Sequence, residues 1–233
     1  MYGLGMVIDS SYSSSKYYAL SFGNSKITVF DENWDYLEWK EYSNPFSMIV
    51  VNDTFYISSL ECIFKTDKYL NLIQKYNVTG FAFSSLYFNS TNNLIYVLSS
   101  LENLIYMYTS DLANVVDIIS TSPYLPWSMH AYNDRLYVGT DNGTVIVIVD
   151  KVIIQTIQVC GSSEDSNLIS FILFDDNDYM VPVCFRSNIL NLYHANGTFT
   201  GTNFTSPTLL TSINFDAKGR FIFTSLYQIS IYY

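Results

Sequence analysis

Apolar and polar residues alternate in short runs along the whole chain, and no stretch keeps a helical period of useful length. The clearest stretch is Asn133–Asp150, NDRLYVGTDNGTVIVIVD. Two apolar runs, Leu136–Val138 and Val145–Val149, flank Thr140-Asp141-Asn142-Gly143, a turn of residues that tolerate left-handed backbone angles. The pair predicts a β-hairpin. Looser copies recur, giving six starts: Tyr17, Thr54, Leu94, Arg135, Tyr179 and Arg220. They lie about 40 residues apart, the period of a four-stranded propeller blade.

A further strand is expected before each hairpin, in GLGMVID, PFSMIVVND, FSSLYFNSTNN, PWSMHAYND, LISFILFDDND and LLTSINFDAKG. Each segment carries a small residue at one position: Gly5, Ser47, Ser85, Ser128, Ser170 and Ser212. Large apolar residues follow at alternate places, the pattern of a strand. Small residues suit a site where sheets crowd together near a propeller axis. A fourth run follows the first five hairpins, at Tyr36–Trp39, Leu70–Tyr76, Asn114–Ile119, Val152–Val159 and Thr198–Phe204. The expected fold is therefore all-β, one propeller domain over 1–233. Its six blades fall at 1–43, 44–79, 80–123, 124–165, 166–205 and 206–233, the last with three strands. An Ile/Tyr-rich edge strand ending at Tyr233 is an aggregation hazard unless a missing segment or a partner covers it.

The unit resembles the NHL-type repeat of six-bladed β-propellers. Pro45, Pro126 and Pro207 match that family's leading proline, and DAKGRFIFTS from Asp216 matches its Asp–x–x–Gly turn and second strand. The fourth unit is also similar to YVTN-type propeller repeats. The Gly-Gly pairs of other large propeller families are absent, and Trp-Asp does not recur, its single copy being Trp34-Asp35. The resemblance implies a non-enzymatic interaction scaffold that binds a protein, peptide or glycan on one face. The alternative it implies is a Ca²⁺-dependent, lactonase- or lyase-like hydrolase at the channel mouth. A structural blade array inside a larger extracellular protein is the third reading.

Charge narrows the partners. The formal net charge is −10, with 11 Lys and Arg against 21 Asp and Glu. Scattered basic residues do not supply the clustered cations that phosphate contacts need, so neither nucleic acid nor an anionic membrane surface is expected as a partner. No apolar run approaches the ~20 residues that span a bilayer. The start, MYGLGMVID, lacks the basic and apolar regions of a signal peptide.

Cys62, Cys160 and Cys184 are too few and too odd in number for a disulfide framework. They read first as buried free thiols. If one bridge forms, Cys160–Cys184 is the pair, because those residues fall in neighbouring repeats. Asn-x-Ser/Thr sequons occur at Asn52, Asn77, Asn89, Asn142, Asn196 and Asn203, where chance gives about four. The chain is intracellular or a piece of a secreted protein, and the sequons lean toward the second.

Candidate chemistry is sparse. Turns between second and third strands place Asn24, Glu61, Glu102, Asp141, Arg186 and Tyr227 at comparable points of one rim. Oxygen-rich rims can hold Ca²⁺, although polar residues are expected in turns anyway. The entry loop Thr121–Trp127, TSPYLPW, carries two prolines with Tyr124 and Trp127, and suits a binding surface or a packed lid. The acidic GSSEDSN loop from Gly161 reads as solvated. The two histidines, His130 and His194, cannot build a three-His zinc site, and His130 reads as a core or channel residue. No catalytic residues, no resident cofactor and no phosphate loop are expected.

Overall fold

Local turn chemistry sets the strands. A computed structural model of the chain describes residues 4–9, 16–77, 83–161, 168–175, 177–185, 187–206, 209–215, 221–225 and 229–232. The Asn52-Asp53 and Asn133-Asp134 turns hold two successive left-handed residues each, at φ 47° and 62° and at φ 48° and 59°. That is the two-residue hairpin geometry whose twist matches the flanking strands.

The strands form separate antiparallel sheets in simple sequence order. The first sheet holds β1 (Leu4–Asp9), β2 (Lys16–Ser21), β3 (Lys26–Phe30) and β4 (Tyr36–Glu41). The second holds β5 (Ser47–Val51), β6 (Thr54–Ser58), β7 (Cys62–Thr66) and β8 (Leu72–Asn77). The third holds β9 (Phe83–Asn89), β10 (Leu94–Ser99), β11 (Leu104–Thr109) and β12 (Val115–Ser120). The fourth holds β13 (Pro126–Tyr132), β14 (Arg135–Thr140), β15 (Thr144–Val149) and β16 (Val152–Gln158). The fifth holds β17 (Ile169–Phe174), β18 (Tyr179–Cys184), β19 (Ile189–His194) and β20 (Phe199–Thr205). The last holds β21 (Leu210–Phe215), β22 (Phe221–Ser225) and β23 (Ile229–Tyr232).

The first strand of each sheet lies beside the first strand of the next, and β21 lies beside β1. The arrangement is that of a β-propeller. It has five four-stranded blades, not the six expected, because β21–β23 is a three-stranded sheet among the described residues.

In three of the first strands the small position has a second use besides size. Ser47 Oγ accepts from the Leu86 amide at 3.2 Å. Ser128 Oγ donates to the Ile169 carbonyl at 2.8 Å, and Ser170 Oγ donates to the Thr211 carbonyl at 2.7 Å. Each bond joins one sheet to the next, close to the axis. Backbone groups there that no sheet partner reaches are thereby satisfied.

Tyrosine performs the same task further out. Tyr56 on β6 donates to the Ser110 carbonyl at 2.7 Å, and Tyr137 on β14 donates to the Ala195 carbonyl at 3.1 Å. Tyr42 donates to the Leu70 carbonyl at 2.7 Å. Every acceptor lies in the third-to-fourth-strand turn of the following blade. In two of these turns an apolar residue takes a left-handed angle, Leu70 at φ 58° and Leu112 at φ 60°. Both are buried against residues of the preceding blade: Leu70 with Tyr18, Leu20 and Ile27, and Leu112 with Val51, Tyr56 and Ile63. The local cost of the angle is offset by apolar burial between blades.

Candidate functional site

Second-to-third-strand turns and the loops that cross from one blade to the next share one rim, because backbone bonds tie them together. Tyr42 N donates to Ser25 O at 3.0 Å, and Thr121 N donates to Asn103 O at 2.8 Å. Asp141 N donates to Leu125 O at 3.1 Å. The Thr121–Trp127 loop is therefore fastened at one end to the β10–β11 turn and near its other end to the β14–β15 turn.

Within the loop, Tyr124 N donates to Thr121 O at 2.9 Å, and the Thr121 hydroxyl donates to Tyr124 O at 3.2 Å. The Ser122–Pro123 peptide is cis. Tyr124 is half-buried and packs on the core group around Leu98, Met129 and Val138. Trp127 is half-buried as well, and its indole Nε1 is buried without a hydrogen-bond partner. Ser99 Oγ and Asn103 Oδ1, on the neighbouring strand end and turn, share that condition. The loop is thus neither a bare display of aromatics nor a sealed lid: its rings are half-covered above a poorly matched polar layer.

The predicted rim residues divide. Asn24, Glu61, Glu102 and Asp141 all sit on the rim and are exposed. Arg186, Tyr227 and residues 162–167 of the acidic loop lie outside the described residues. Asp141 belongs to a turn explained by its own bonding. The Thr140 hydroxyl lies 2.7 Å from both Asn142 Oδ1 and Thr144 O, and Gly143 takes φ 79°. Glu102 accepts a hydrogen bond from Tyr106 of its own sheet. Burial first, then that bond and the carboxylate's charge, push the Tyr106 hydroxyl well above its usual range.

Among the described residues, no three His, Cys, Asp or Glu side chains group as metal ligands. His194 is exposed at the end of β19, tilted against Tyr179 at 5.3 Å. His130 lies on β13, its ring 5.7 Å from Phe174, and burial pushes its pKa down to about 4. A neutral imidazole in that place has a stability signature. The folded pKa lies below the ordinary 6.5, so the unfolded chain takes the proton first as pH falls. The contribution is whole above about pH 6.5 and is lost progressively toward pH 4, to a total of about 2–3 kcal/mol. Denaturant unfolding at pH 7 and pH 4 should show a larger loss for the native chain than for His130→Asn. Parallel losses in the two proteins would refute the assignment.

The cysteines depart from the free-thiol expectation. Cys160 and Cys184 form a disulfide, while Cys62 is free and buried. The bridge fixes the loop after blade four to the end of β18, on the same rim.

The fold and rim define a β-propeller-type repeat protein whose blades are fastened by serine and tyrosine hydroxyls. No protein-family model matches the chain, and a search of curated proteins finds no relative. Among the described residues no helix is long and apolar enough to cross a membrane.

Proposed function

We propose that the chain is a non-enzymatic, NHL-like propeller scaffold that binds a protein, peptide or glycan on the rim carrying the Thr121–Trp127 loop. One observation carries the reading: this loop is held between two turns that present apolar and acidic groups side by side. Leu101, at the tip of the β10–β11 turn, is 67 % exposed. Glu102 of the same turn is exposed, the loop tethered to that turn carries exposed Pro123 and half-buried Tyr124 and Trp127, and exposed Asp141 stands at the loop's other tether. Aromatic anchors amid polar groups are the composition of binding surfaces. The unmatched Trp127, Asn103 and Ser99 atoms are consistent with a loop that reseats on contact. No observation favours the calcium-dependent hydrolase over this reading, since Glu61, Glu102 and Asp141 form no ligand group among the described residues.

The test is selection of ligands for the purified chain from a displayed peptide library and a glycan array. An enriched ligand should lose at least about tenfold in affinity with Leu101→Ser or Asp141→Asn, the scale of a modest interface residue. Asp53→Asn and Asp134→Asn, on the opposite rim, should leave it unchanged. A ligand sensitive only to the second pair overturns the assignment.

A further inference from the structure

We propose that the Asn-x-Thr sequons are N-glycosylated in the native protein, with Asn89, Asn142 and Asn196 the principal acceptors. The first observation is compositional. All six sequons end in Thr, although the chain has 29 Ser against 17 Thr. If the two filled the third position in proportion, six Thr would occur about once in four hundred trials. Strand preference accounts for part of this at most, because Thr54, Thr144 and Thr205 lie in strands while Thr91 and Thr198 lie outside them. Thr differs from Ser by a methyl that stiffens χ1, so its hydroxyl loses less freedom when a transferase engages the sequon.

The second observation is geometric. Asn52, Asn77, Asn142, Asn196 and Asn203 are exposed, and Asn89 is half-buried. In three sequons the asparagine Oδ1 accepts from the backbone amide of the sequon threonine. The distances are 2.9 Å for Thr91 to Asn89, 3.3 Å for Thr144 to Asn142 and 2.9 Å for Thr198 to Asn196. The carbonyl side of each amide is thereby engaged, and Nδ2 takes no part in these bonds. The third observation is the Cys160–Cys184 disulfide, which belongs to the same oxidising compartments in which such transfer occurs.

The donor is a lipid-linked oligosaccharide diphosphate. Asn Nδ2 bonds to the anomeric C1, the C1–O bond to the diphosphate breaks, and the amide proton passes to a base of the transferase. The lipid diphosphate leaves with the bonding electrons, and nothing is oxidised or reduced. The acceptors fall on both rims: Asn142 lies beside Asp141, while Asn89 and Asn196 lie in turns of the opposite rim.

The test is glycopeptide mass spectrometry of the chain isolated from its native source. Intact glycopeptides must be scored, because Asn142-Gly143 and Asn196-Gly197 deamidate spontaneously and mimic enzymatic release. Sugar-bearing peptides are expected at Asn89, Asn142 and Asn196. Unmodified asparagine at all three overturns the proposal. In secretory expression, Asn89→Gln and Asn196→Gln should each remove one glycan mass. Thr91→Ser and Thr198→Ser should lower occupancy at their sites, and unchanged occupancy in both overturns the role given to threonine.

Discussion

The Gly139→Ala variant is expected to lose about 3–4 kcal/mol of stability, from overpacking together with a buried carbonyl left unpaired. Gly139 pairs with Ser128 across β13 and β14. A Cβ there would lie 2.4 Å from Ser128 Oγ, 2.5 Å from Ile169 Cγ2 and 2.7 Å from Ile169 Cβ. None of these atoms can yield cheaply. The Ser128 hydroxyl is held by the Ile169 carbonyl across the junction of blades four and five, and Ile169 is fully buried. The glycine is required by close approach and not by backbone angle.

Urea unfolding of the variant against the native chain measures the loss. A loss of under about 1 kcal/mol would mean that β17 can retreat from β14 without disturbing the ring. The Ser128→Gly/Gly139→Ala double variant separates the two clashes. It should recover only part of the loss, because Ile169 still stands in the way. Additive costs for the two single substitutions would show that the hydroxyl and the added methyl do not meet.

That tightness was legible in the sequence only as a row of small residues. The repeat itself was readable because two features of a hairpin are local: alternation along each strand, and Asn, Asp and Gly where left-handed angles fall. Asn52-Asp53, Asn133-Asp134 and Gly143 take those angles. The direction of the serine hydroxyls was not readable, since their acceptors lie about forty residues further along. Nor was the inter-blade use of Tyr56 and Tyr137, whose acceptors lie 54 and 58 residues away. Leu70 and Leu112 go against turn propensity outright. Their left-handed angles are favourable only once a neighbouring blade receives the side chain. The candidate rim was legible as a row of turn carboxylates, but not their fates. Glu102 is engaged with Tyr106, and Asp141 sits in a turn closed by its own hydroxyl and amide bonds. The loop at Thr121 stood out through its prolines and aromatics, whereas its half-buried state depends on the core of blades three and four beneath it.

The second large effect expected is at the disulfide. The Cys160→Ala/Cys184→Ala variant should be about 3 kcal/mol less stable than the oxidised native chain. The bridge closes a sequence separation of 24 residues, and a loop of that length loses about this much freedom in the unfolded chain. The folded side of the balance should change little, because other bonds hold the same junction. Tyr193 donates to the Val159 carbonyl at 3.1 Å and Ser128 Oγ to the Ile169 carbonyl at 2.8 Å, both between blades four and five. Cys160 N donates to Gly143 O at 3.1 Å and Phe185 N to Leu168 O at 2.7 Å, which hold each end within its own blade. For a chain of this size the melting temperature should fall by roughly 6–12 °C. A reductant should lower the native chain to the level of the variant and leave the variant unmoved, since Cys62 is buried and unbridged. If the variant melts with the oxidised protein, the hydrogen bonds alone hold blade four to blade five, and the cross-link has no stabilising role. A drop confined to the oxidised native chain ties its stability to an oxidising compartment. It would do so through a physical property independent of the sugars proposed at Asn89, Asn142 and Asn196.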